Sequence, residues 1–151
     1  MNISYKFIFK NIATSIFLSL LMVGIFFVCG IESQIKQNVV SDFYLYFFKI
    51  VIISPIIETF LFQFLPLEFL KRILYRKFLI LAICSFIFGI FHFFNDFLIQ
   101  EFIVTFILGW VFNNSYLVVQ QKRQNAFLSV VLIHLGYNLF VFTIQFININ
   151  S

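Results

Sequence analysis

The sequence predicts an all-α protein, a polytopic bundle of about five transmembrane helices that forms one domain over residues 1–151. Hydrophobic residues make up 62% of the chain and charged residues only 11%, which is not the composition of a soluble globular domain. Five apolar stretches each approach the ~20 residues that a helix needs to cross the hydrocarbon core. They cover about 9–29, 43–65, 78–97, 102–120 and 126–147. We therefore expect a multi-pass integral membrane protein surrounded by the lipid bilayer.

The first stretch raises the question of a secretion signal. It follows Lys6 and Lys10, as the apolar part of a signal peptide would. It is longer than that part, however, and no small-x-small cleavage site follows it. We expect a retained first helix.

The basic residues predict how the chain is oriented in the membrane. Eight of the ten Lys and Arg residues fall on one side of the membrane if the five spans are threaded in order. Cytoplasmic loops carry such an excess, so the prediction is N-terminus in and C-terminus out. The net charge of +4 is explained by this placement, and no nucleic acid is expected as a partner.

Glycine and cysteine positions predict packing rather than chemistry. Gly89, Gly109 and Gly136 lie one in each of the last three spans, where they allow helices to approach closely. Cys29 and Cys84 each lie within an apolar run and have no metal-ligand or redox spacing. We expect both thiols to be buried and inert.

Lys49, Glu58, His92 and His134 are ionisable residues inside the spans. Such residues are expensive in a membrane and are candidates for function. Lys49 lies near the end of its span and can extend its amine to the interface. It is nine residues from Glu58, which places the two on opposite helix faces and ~13 Å apart along the axis. Glu58 must therefore find its partner on another helix.

Helix lengths predict which side chains lie at the depth of Glu58. If the second helix continues to a turn near Tyr75, Glu58 and His92 each lie ~26 Å from that turn. His134 and Asn138 share one face of the fifth span and lie ~17 and ~23 Å from the turn that precedes it. One carboxylate, two imidazoles and one carboxamide can thus converge. A polar patch that only joins helices by hydrogen bonds is the other interpretation.

Pro55 lies one turn before Glu58 and adds a local prediction. Proline has no backbone N–H and leaves the carbonyl four residues earlier without its helical donor. Such a carbonyl is tolerated in a membrane only beside protein or water. We expect a kink with a small hydrated cavity beside Glu58.

Three segments resemble motifs of one intramembrane protease family. "SPIIETFLFQ" resembles E-E-x-x-x-R, "FGIFH" resembles F-x-x-x-H and "HLGYN" resembles H-x-x-x-N. These are motifs of the CAAX proteases and bacteriocin-processing enzymes, also called the abortive-infection-like family. The resemblance implies a protease-like core over about 43–147. It also implies that Glu58 and His92 activate the attacking water, whereas His134 and Asn138 hold the oxyanion.

Other residues are expected to support this site. Phe88 shares a helix face with His92 and should pack against it. Asn95 and Asp96 can orient the imidazole of His92, or they mark the outer end of the helix, which is the interpretation we favour. The family's second Glu and its Arg are Thr59 and Gln63 in this chain. These two are four residues apart and can hydrogen-bond to each other in place of an ion pair.

The resemblance predicts a glutamate-type endopeptidase that needs no cofactor and cuts a peptide or protein substrate at the membrane. A second version makes Glu58, His92 and His134 ligands of a divalent metal such as zinc. A third, motivated by Thr59 and Gln63, is a non-catalytic relative that serves as a bacteriocin-immunity or partner-binding protein. We expect the membrane to be a bacterial cell membrane.

Overall fold

The computed structural model describes residues 4–31 and 43–150, except for the side chains of Asp96 and of residues 148–150. These residues form five helices and no strand: α1 (Tyr5–Val28), α2 (Phe43–Ile73), α3 (Lys77–Asp96), α4 (Ile99–Gln121) and α5 (Ala126–Asn150). All five are long and apolar enough to cross a membrane. The predicted all-α, multi-pass architecture is confirmed, while the predicted orientation of the termini stays a prediction.

Two wide turns interrupt α2. Phe48–Ile53 and Thr59–Phe64 are π-helical, and they enclose a short α-helical piece, Ser54–Glu58. In a regular α-helix, four residues advance by about 40° more than a full turn, so a side chain four positions later points about 40° away from the first. A π turn holds one more residue than an α turn, so it offsets this drift. Every fourth residue is therefore buried along the central part of α2: Val51, Pro55, Thr59, Gln63 and Leu67.

Close helix contacts at glycine set the positions of α3 and α4. A Cβ added at Gly109 would lie 3.0 Å from Cδ1 of Phe88 and 3.2 Å from Cα of Ser85. A Cβ at Gly136 would lie 2.5 Å from Cδ1 of Ile12, on α1. The expectation that these glycines allow close approach is confirmed, since a methyl group at either position would require its neighbours to move.

A polar cluster joins the last turns of α2 and α4. Oε1 of Glu68 accepts hydrogen bonds from Tyr116 Oη at 2.9 Å and from Gln120 Nε2 at 2.8 Å. Nζ of Lys71 lies 2.7 Å from the same carboxylate oxygen and donates to Gln120 Oε1 at 2.6 Å. Because α2 and α4 run in the same direction, these bonds fix the axial register between them.

The two cysteines differ in environment. Cys84 is fully buried among the core residues, as expected. Cys29 is exposed, so the expectation of a buried thiol is wrong there. The reason is that α1 ends at Val28, and Cys29 belongs to the turn beyond it.

Candidate functional site

Glu58 closes the short α-helical piece of α2, and its side chain is only 15% exposed. Its Oε1 accepts a hydrogen bond from Ser54 Oγ at 2.8 Å. This bond engages one carboxylate oxygen and leaves Oε2 for groups on other helices. Sequence reasoning missed Ser54, although a hydroxyl four residues before an acid is a recognisable helical pair.

Two imidazoles from different helices meet the second oxygen of Glu58. Nε2 of His92, on α3, lies 3.6 Å from Oε2. Nε2 of His134, on α5, lies 3.5 Å from the same atom. The structure thus brings together three of the four residues that the sequence predicts to converge at this depth.

The other ring nitrogens indicate how each imidazole holds its hydrogen. Nδ1 of His92 lies 2.9 Å from the carbonyl oxygen of Phe88. A carbonyl only accepts, so Nδ1 carries the hydrogen and Nε2 of a neutral His92 is an acceptor. Nδ1 of His134 is buried and has no hydrogen-bond partner among the residues that the structure describes. An unpaired buried N–H is unfavourable, so the hydrogen of His134 belongs on Nε2. The carboxylate of Glu58 therefore faces an acceptor, Nε2 of His92, and a donor, Nε2–H of His134.

Aromatic rings form the apolar wall of the site. The Phe88 ring lies 4.5 Å from the ring of His92 and 5.9 Å from that of His134, between centroids. The predicted contact of Phe88 with His92 is therefore present. Phe112, on α4, lies 4.7 Å from His134. Nothing in the sequence distinguishes Phe112 from the other 25 phenylalanines, and only the helix packing reveals it.

Asn138 is tied to the backbone of α2. Its Nδ2 donates to the carbonyl oxygen of Ile50 at 3.0 Å. That carbonyl lies five residues before Pro55, one residue earlier than predicted. The difference follows from the π-helical register, in which Ser54 N–H reaches Lys49 O and the next donor would be the missing N–H of Pro55. An amide nitrogen has two hydrogens, so one remains on Asn138 for another acceptor.

The remaining predicted residues lie around this centre. Thr59 and Gln63 are fully buried, but the hydrogen bond that they could form is absent, since Thr59 Oγ1 and both amide atoms of Gln63 have no partner among the described residues. Asn95 is exposed, and the side chain of Asp96 lies outside the described residues. Lys49 is exposed, as predicted for a residue near the end of its span.

The zinc version of the site calls for ligands grouped around one point. Over residues 4–31 and 43–150, no group of three or more His, Cys, Asp or Glu side chains is arranged to hold a metal ion. Oε2 of Glu58 nevertheless lies 3.6 Å from Nε2 of His92 and 3.5 Å from Nε2 of His134, so the metal version stays a separate proposal.

Comparison with known proteins bears on the identity of the chain. A family model described as type II CAAX prenyl endopeptidase Rce1-like matches residues 40–140, more than half of the chain. Neither a curated protein nor a solved structure matches the chain. The matched range includes Glu58, both histidines and Asn138, and it agrees with the resemblance of the three motifs. This multi-pass membrane chain therefore belongs to the Rce1-like family of CAAX-type intramembrane proteases.

Proposed function

We propose that the protein is an intramembrane endopeptidase in which Glu58 and His92 take the proton from an attacking water. The observation that carries this proposal is the approach of both imidazole Nε2 atoms to one oxygen of Glu58, at 3.5 and 3.6 Å. These separations exceed a direct N–H···O hydrogen bond but are too short for a water molecule in line between the groups, so the attacking water binds beside the pair, within reach of both atoms.

The chemistry follows from the hydrogen placement described above. A water bound beside Oε2 of Glu58 and Nε2 of His92 meets two acceptors and can transfer a proton to either. Its oxygen then bonds to the peptide carbonyl carbon, and the carbonyl oxygen becomes an oxyanion. Cleavage of the C–N bond is completed when the proton passes to the leaving amine. General base catalysis of this kind contributes about 10²- to 10⁴-fold in rate.

Two donors are available for the oxyanion. His134 presents Nε2–H, and Asn138 keeps one amide hydrogen beyond the bond to Ile50. Each donor aimed at such a developing charge contributes about 3 kcal/mol in comparable enzymes. The rings of Phe88 and Phe112 exclude water from one side and so strengthen these electrostatic contacts.

We infer that the substrate is a peptide or protein segment held at the membrane. The family description names prenyl CAAX substrates, whose lipid group would place the scissile bond near the bilayer. Exposed Ile57 and Phe91 lie on the helices that carry Glu58 and His92, so the surroundings of the site are apolar. An unmodified peptide, such as a toxin or signal in a bacterial membrane, is the second substrate class.

The test uses the purified full-length protein in lipid nanodiscs and two fluorogenic CAAX peptides, identical except for a farnesyl group. We expect cleavage of at least one peptide, and a fall of about 10²-fold or more in kcat for Glu58→Gln. Thr143→Val is the control, because the Thr143 hydroxyl bonds to the backbone on the exposed face of α5, outside the site, and the variant should retain most of the rate. Equal rates for the two variants would contradict the proposal.

A non-catalytic binding or immunity protein is the second candidate function. The observation that favours it is the neutral pair Thr59 and Gln63, which replaces charged residues of the family motif. That function predicts no cleavage of either peptide. It also predicts that a cellular phenotype of the protein survives when Glu58, His92 and His134 are each replaced.

Metal dependence is a separate question with a separate test. We propose hydrolysis without a metal, so cleavage should persist after prolonged treatment with a chelator and removal of the chelated ions. Loss of activity that returns on addition of zinc would support the metal version instead.

A further inference from the structure

Unpaired polar atoms accumulate next to the site. Within residues 4–31 and 43–150, five buried side-chain atoms have no hydrogen-bond partner in the chain: Thr59 Oγ1, Gln63 Nε2, Gln63 Oε1, Asn113 Oδ1 and His134 Nδ1. Thr59, Gln63 and Asn113 are 0% exposed. Leaving such atoms unpaired is costly, and their occurrence on three neighbouring helices points to a shared partner.

The register of the bundle places Gln63 and Asn113 at one level. Glu68 binds both Tyr116 and Gln120, so it lies opposite the point midway between them on α4. Five residues back along the two parallel helices are Gln63 and Asn113. Both are fully buried, and their segments pack against each other.

Asn113 and Thr59 each follow directly in sequence a residue that belongs to the proposed site. Phe112, which precedes Asn113, contacts the ring of His134. Thr59, one turn before Gln63 on the same buried stripe, follows Glu58 directly. Thr59 and Asn113 are thus each next in sequence to a residue of the site, on two helices whose segments pack against each other.

The unpaired atoms include both donors and acceptors. Gln63 offers an NH₂ group and a carbonyl oxygen, and the Thr59 hydroxyl can donate or accept. Asn113 Nδ2 donates to Ser85 Oγ at 3.2 Å, which leaves its Oδ1 as an acceptor. A buried water usually makes two to four hydrogen bonds to such groups, and the mixture found here suits one.

We propose that Thr59, Gln63 and Asn113 form an internal water-binding site that replaces the water consumed at Glu58 in each hydrolysis. The bilayer core supplies no water, so an enclosed hydrolase benefits from a bound reserve. Polar groups continue toward the end of the bundle, since Tyr116 donates to Glu68, whose side chain is 31% exposed. The supply role rests on the proposed protease function, whereas the binding of water does not.

The first experiment detects water directly. In ¹⁵N-labelled full-length protein in nanodiscs, magnetisation transfer from water should reach the side-chain NH₂ groups of Gln63 and Asn113. Gln63→Leu and Asn113→Leu assign the two signals. The measurement is repeated in Glu58→Gln, where the transfer should persist although hydrolysis is lost. Absence of transfer at both amides would overturn the proposal, whether or not the protein is a protease.

The second experiment tests whether the bound water replaces the water consumed at Glu58. Thr59→Val removes the hydroxyl at constant shape, and we expect about a tenfold loss in kcat with KM unchanged. Thr143→Val is the matched control, because the Thr143 hydroxyl bonds only to the backbone on the exposed face of α5 and kcat should not change. The first experiment could detect water while Thr59→Val and Gln63→Leu leave kcat unchanged. In that case the bound water is only structural, and the supply role is overturned.

Discussion

At the scale of single residues, the site depends on the different partners of the two carboxylate oxygens of Glu58. Ser54 engages Oε1, and both histidines approach Oε2. Sequence reasoning found Glu58, His92 and His134 because an ionisable group in an apolar span is rare. It missed Ser54, since a serine in a membrane helix can equally bond to its own backbone.

Ser54→Ala should therefore misalign Glu58 without removing any reacting group. Loss of the hydrogen bond, worth about 1 to 2 kcal/mol, should lower kcat about 5- to 30-fold while KM stays unchanged. Steady-state kinetics on the nanodisc preparation measure both constants. Ser54→Thr keeps the hydroxyl and should recover most of the rate. A loss of protein stability with normal kcat would instead assign Ser54 a purely structural role.

At the scale of the helices, the site is held by contacts that leave no room for a side chain. α4 passes α3 at Gly109, next to Phe88, whose ring and carbonyl both contact His92. The helices and this close approach could be predicted from the sequence, because length, apolarity and glycine position are local signals. The π turns of α2 could not be, since they depend on the packing of α2 against α4 and α5.

Gly109→Ala should destabilise the bundle at this crossing. Its methyl group would meet a backbone atom of Ser85 at 3.2 Å, so α3 and α4 must separate, at a cost of about 1 to 3 kcal/mol. The change is measured as a lower midpoint of thermal unfolding in detergent. Gly24→Ala is the matched control, since nothing lies within 4 Å of its Cβ and alanine favours helix by about 1 kcal/mol. Equal midpoints for the two variants would contradict the packing account.

At the scale of the whole molecule, the basic residues and the five spans predict which end of the site faces the cytoplasm. Lys6 and Lys10 lie in the first two turns of α1, and Cys29 follows its last residue. The predicted N-in orientation therefore places Cys29 on the outer side. The other cysteine, Cys84, is fully buried, so the natural chain carries a single accessible thiol.

Labelling of Cys29 tests this orientation. A membrane-impermeant maleimide should modify the protein in intact cells, and Cys29→Ser should abolish the label. Modification only after the membrane is permeabilised would place the thiol inside and reverse the predicted topology.

The central claim is that Glu58 and His92, brought together from α2 and α3, act as one catalytic unit. The most direct measurement is kcat/KM for Glu58→Gln, His92→Gln and the double variant with the same peptide. Residues that act as a unit are strongly non-additive, so the double variant should be about as slow as the slower single variant. If the two losses instead multiply, or if the unaltered protein cleaves no faster than the double variant, the claim is contradicted.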